Sequence, residues 1–109
     1  MKLRNLVIAA TGLALAASAG AASAATTWQI HHPRRVEVNH RLDHLRRDVR
    51  FDRRTDRISP MKAHHLDARL HRIRLQERGM AAEHDSHITR REQARLNRQE
   101  TGVRSSLPG

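Results

Sequence analysis

The stretch Ile58-Ser59-Pro60-Met61-Lys62-Ala63-His64-His65-Leu66, set beside Ile88-Thr89-Arg90-Arg91-Glu92-Gln93-Ala94-Arg95-Leu96, decides the fold. Each begins with an aliphatic residue and a hydroxyl residue, and each then takes on helical character. A hydroxyl at the N-cap accepts a hydrogen bond from an otherwise unpaired helix amide. Pro60 suits the first helical position, where its missing N–H costs nothing. Thr89 and Glu92 have the spacing of a capping box, in which each side chain serves the other residue's amide.

The two stretches lie thirty residues apart, and the offset extends beyond them. It carries Leu45 onto Leu75, Asp67 onto Asn97, and Ile73 onto Val103. The chain therefore reads as two overlapping helix–loop–helix units that share their middle helix. Apolar residues at helical spacing mark the three helices: Val38, Leu42, Leu45 and Val49; then Ala63, Leu66, Leu70 and Ile73, continuing through Glu77 towards Met80; then Leu96 and Val103. The expected fold is all-α, with helices over 36–50, 60–80 and 90–102. The core is expected to contain these Val, Leu and Ile residues together with Ile88. Phe51 closes the first helix in this reading, Gly79 kinks or ends the second, and Gly102 stops the third. Polar loops fall at 52–57 and 83–87.

The chain's start has a different character. Lys2 and Arg4 precede an uncharged run from Leu6 to Ala19, and small residues follow to Ala25. That is the layout of a cleavable secretory signal, with the cut placed after Ala24. The expected organisation is a signal peptide at 1–24, a flexible leader at 25–35, a helical domain at 36–104 and a flexible tail at 105–109. It implies export to the periplasm or beyond. The middle of the signal is shorter than the ~20 apolar residues a permanent span needs.

The formal net charge is +10, from 21 basic and 11 acidic side chains; 19 of the basic ones are Arg. Arg presents a planar fork suited to phosphate and carboxylate partners. No cysteine is present, so no disulfide supports a domain that is small and poor in aliphatic residues. Export argues against nucleic acid as the partner, and with one Trp, one Phe and no Tyr there is little to stack on bases. The expected partners are a protein client or an anionic component of the envelope. Ser59, Ser86, Ser105 and Ser106 lack the glycines of a nucleophile elbow, and no catalytic constellation is legible, so the expectation is a binding protein rather than an enzyme.

Three resemblances add to this reading. With Ile88 as the eighth residue of a 12-residue loop, Ala81–Glu92 resembles an EF-hand loop, and Phe51–Lys62 its degenerate twin. The resemblance implies that Ile58 and Ile88 meet across a short strand pair. It also implies oxygen ligands at Glu83, Asp85, Thr89 and Glu92. Ala81 stands at the first ligand position and Ser86 replaces the turn glycine, while Phe51, Arg53 and Lys62 occupy ligand positions in the first loop. The segments Ile58-Ser59-Pro60-Met61-Lys62 and Ile88-Thr89-Arg90-Arg91-Glu92 resemble the Leu-Thr-x-x-Gln signature of Spy/CpxP-type periplasmic chaperones. That likeness implies a basic, amphipathic surface for unfolded clients. Finally, Val38-Asn39, Ile73-Arg74, Glu77-Arg78, Met80-Ala81, His87-Ile88-Thr89, Glu92-Gln93, and Leu96-Asn97 through Gln99-Glu100 resemble small exported proteobacterial proteins of unassigned function.

Two kinds of site follow. A divalent metal ion has candidate ligands in the second loop: Glu83, Asp85, His87, Thr89 and Glu92. His40 and His44, one helical turn apart, are an alternative pair. An anionic partner has Arg46, Arg47, Arg50, Arg53, Arg54 and Arg57, at the end of the first helix and in the first loop. The two loops carry opposite charge, so a cation should favour the second and an anion the first.

Overall fold

The computed structural model describes residues 24–109. The expected signal peptide lies outside them, except for Ala24. Among the described residues four helices form and there is no strand. The chain divides into two units, Met1–Ile30 and His31–Gly109. Helix α1 (Thr27–His31) is a short helix with no buried residue. Thr26 and Gln29 close its start reciprocally, each side chain accepting from the other's backbone amide at 3.1 and 2.8 Å.

The second unit contains α2 (Pro33–Arg54), α3 (Pro60–Glu83) and α4 (Arg90–Ser105), and each pair of these helices is in contact. Their starts follow the local rules. The Ser59 hydroxyl accepts from the Lys62 amide at 3.0 Å. The Thr89 hydroxyl accepts from the Glu92 amide at 3.1 Å, and the Glu92 carboxylate accepts from the Thr89 amide at 2.8 Å. Pro33 opens α2 as Pro60 opens α3.

One stripe from each helix is buried: Val38, Leu42, Leu45 and Val49 of α2; Ala63, Leu66, Leu70, Ile73 and Ala81 of α3; Leu96 and Val103 of α4. Ile58 and Ile88 plug the two ends, next to the caps. Full burial of an aliphatic side chain stabilises by about 1.5–3 kcal/mol. Residues bonded between α4 and its neighbours show that α2 and α4 run in the same direction while α3 runs against them. Glu37 meets Gln93 and Asn97, whereas Gln76 meets Gln99 and Arg69 meets Ser106.

All three long helices exceed their expected bounds. Helix α2 does not end at Phe51. It continues to Arg54 because Asp52 turns inward, 6% exposed, and its carbonyl accepts from the Arg57 and Ile58 amides. Helix α3 passes Gly79 without a break and buries Ala81 a turn later. Helix α4 passes Gly102, where a Cβ would lie 3.0 Å from the Arg69 guanidinium. Glycine there lets α3's Arg69 side chain lie against α4. Past the helix, Leu107 packs against the core.

The thirty-residue repeat holds over the loops and the helices that follow them. Asp56 and Ser86 both have positive φ, 58° and 72°, and Ile58/Ile88, Leu66/Leu96 and Ile73/Val103 are buried as pairs. It fails upstream, where Leu45 is 1% exposed and Leu75 is 51% exposed. The EF-hand-like pairing also fails. Ile58 precedes α3 and Ile88 follows it, and a helix of 24 residues is ~36 Å long at ~1.5 Å per residue. The two loops therefore cap opposite ends of the bundle, and the two isoleucines cannot meet.

Candidate functional site

Two groups of polar side chains that the helices bring together are built on buried or partly buried carboxyls. At the end bearing the second loop, Glu77 is 1% exposed. Its carboxylate accepts from Arg35 Nε at 2.6 Å, Arg35 Nη2 at 3.2 Å and Asn39 Nδ2 at 3.2 Å. A two-pronged Arg–carboxylate pair is among the stronger buried polar contacts. Arg35 Nη1 also reaches the Ser86 carbonyl, and Arg34 reaches the Ile88 carbonyl. These bonds tie the second loop to the start of α2. On the other flank of α2, Glu37 accepts from Gln93 at 2.6 Å and Asn97 at 2.9 Å, with Arg41 at 3.6 Å. The Asn97 bond comes first among the effects that hold the Glu37 carboxyl below its usual range, joined by Gln93 and Arg41, against the opposing pull of burial.

Further along the α2–α4 seam, Glu100 is 1% exposed and neither of its carboxyl oxygens has a hydrogen-bond partner. A cavity of about 280 Å³ lies against it, lined by Arg41, Leu45, Glu100, Thr101 and Arg104. Burial pushes its carboxyl up to about 8; Arg41 pulls the other way and Glu37 reinforces the rise. Next along the seam is a larger cavity of about 430 Å³, lined in part by Phe51, Asp52, Arg57, Leu107 and, again, Arg104.

The second-loop residues expected to bind a cation are engaged in several different ways. Glu92 serves the capping box and lies 3.3 Å from His84 Nε2. The Thr89 backbone bond is the first cause of a carboxyl held below its usual range. His87 stacks on His32 with ring centroids 4.6 Å apart. Glu83 and Asp85 are exposed, and Asp85 and Ser86 make the positive-φ turn. His40 is exposed, and His44 lies 3.6 Å from Asp48. Among the described residues no three His, Asp or Glu side chains stand where one ion could be shared.

The predicted arginines share one region. Arg46, Arg47, Arg50, Arg53 and Arg54 lie along one side of α2, and Arg57 lies just beyond it. Arg53 and Arg57 have distant partners, Asp56 and Asp52, both at 4.0 Å. Arg47, Arg50 and Arg54 are exposed and form no ion pair among the described residues.

The sequence reading missed Glu100, although a signal was present. The repeat that places Leu66 on Leu96 also places Leu70 on Glu100, and Leu70 is fully buried. A carboxyl at the register of a core leucine is a warning that burial will perturb it. Among the described residues, no helix is long and apolar enough to cross a membrane. Comparison of the chain with protein-family models, curated proteins and solved structures finds no match.

Proposed function

We propose that this chain is an exported, non-catalytic binding protein that holds an anionic partner on the arginine-rich side of α2. The partner is an acidic segment of a client protein, as the chaperone resemblance suggests, or an anionic component of the envelope. The observation that supports this reading most directly is the row Arg47, Arg50 and Arg54, exposed and without carboxylate partners. Unpaired guanidiniums on one helix side are a preformed electrostatic surface, with no internal ion pair to break on binding.

Sedimentation with phosphatidylglycerol-containing vesicles tests the envelope form, and suppression of client aggregation, followed by light scattering, tests the client form. Each basic residue near an anionic surface contributes about 1 kcal/mol. Replacing Arg47, Arg50 and Arg54 together by Ser should therefore weaken the association by about two orders of magnitude. Unaltered binding and unaltered suppression in that variant would refute the proposal. A second reading is divalent-cation binding in the second loop, where Glu83 and Asp85 are exposed. Calorimetric titration with Ca²⁺, Zn²⁺, Cu²⁺ and Ni²⁺, repeated on Asp85→Ala with Glu92→Ala, separates it from the first.

A further inference from the structure

Glu100 stands out because its burial has no internal explanation. The carboxyl of Glu77, equally buried, is bonded to Arg35 and Asn39. That of Glu100 has no partner at either oxygen. A buried polar group left without a partner weakens a fold, because its lost hydration is not replaced. Leucine stands at the matching position of the first repeat, so the fold does not require a carboxyl here.

The cavity beside it is basic at its rim. Arg41 approaches from α2 and Arg104 from α4, with the Thr101 hydroxyl residue between them in sequence and lining. Arg104 forms no ion pair among the described residues, and Arg41 has only Glu37 at 3.6 Å. Two guanidiniums disfavour a cation and leave room for an anion. An anion in turn is repelled by an ionised carboxylate and meets no such repulsion from a protonated one.

We propose that the cavity lined by Arg41, Leu45, Glu100, Thr101 and Arg104 binds a small carboxylate anion, which the two guanidiniums hold beside the buried Glu100 carboxyl. A planar carboxylate matches the guanidinium fork, and one negative charge suits a cavity whose Arg41 is already shared with Glu37. This site lies on the α4 side of α2, away from the arginine row of the proposed function, and does not depend on that reading.

Binding is tied to protonation of Glu100. Its carboxyl is pushed up to about 8 by burial, so it keeps its proton at neutral pH. The charged groups acting on it from α2 are Arg41 and Glu37. Arg104 of its own helix lines the cavity. On α3, Arg69 is bonded to Ser106 and lines a separate cavity with Arg72 and Gln99.

The test is titration of the full chain with sodium acetate at constant ionic strength, followed by amide chemical shifts. Affinity should fall about tenfold between pH 7 and pH 9, one decade for the pH unit above 8. Glu100→Gln, which is always neutral, should remove that dependence while still binding. Arg41→Gln with Arg104→Gln should weaken acetate at least tenfold at both pH values, whereas Arg47→Ser, Arg50→Ser and Arg54→Ser should leave it unchanged. The same pH dependence in Glu100→Gln, or unchanged affinity in the Arg41/Arg104 variant, overturns the proposal. Inorganic phosphate binding more tightly than acetate, with the same dependence on those two arginines, overturns the assignment to carboxylates.

Discussion

Replacing Glu100 by Gln should stabilise this protein, and the gain should grow with pH. In the unfolded chain the Glu100 carboxyl has its ordinary value of 4.5, while burial raises it to about 8 in the folded state. Between these values folding must take up a proton. The cost is about 1.4 kcal/mol for each pH unit above 4.5, on the order of 3 kcal/mol at pH 7 and about 1 kcal/mol at pH 5. Stability is thus greatest below the unfolded carboxyl's range and falls as pH rises from 4.5 to about 8. Gln has nearly the same shape, carries no proton to exchange and escapes the cost. For a domain of this size, 1 kcal/mol corresponds to about 4–8 °C in Tm. Urea denaturation followed by circular dichroism at pH 5 and pH 7 measures both points. Equal stability of the two proteins at pH 7 would mean that Glu100 is ionised and satisfied in the folded state. A gain of the same size at both pH values would mean that the effect is packing and not protonation.

Removing the buried carboxyl of Glu77 should act in the opposite direction. Glu77→Ala removes the carboxylate to which Arg35 and Asn39 bond and should cost about 3–5 kcal/mol, read from the urea midpoint; a loss below 1 kcal/mol would show that the pair stabilises nothing. Gly79 lies exposed inside α3, and a Cβ there meets nothing within 4 Å. Gly79→Ala should therefore raise stability by about 0.5–1 kcal/mol, and a decrease would show that α3 needs a glycine at that point.

Sequence alone determined the helical class, the caps and most of the core. These are local matters. Ser59-Pro60 and the Thr89–Glu92 box act within a few residues, and the stripes from Val38 to Val103 follow from helical period alone. The ends of the helices were less legible, because Asp52, Ala81 and Val103 extend them by packing against other helices. The thirty-residue repeat was real in the loops. It could not say that a shared helix ~36 Å long keeps those loops apart, since that depends on α3 running unbroken through Gly79. The buried carboxyls of Glu77 and Glu100 differ for the same reason. Glu77 and Glu100 occupy similar stripe positions on their own helices. Only the packing of three helices decided that Arg35 would stand opposite one, while the other would be buried without a partner beside a cavity lined by Arg41 and Arg104. Which side chain arrives from a neighbouring helix is a property of crossing geometry, and helical periodicity does not encode it.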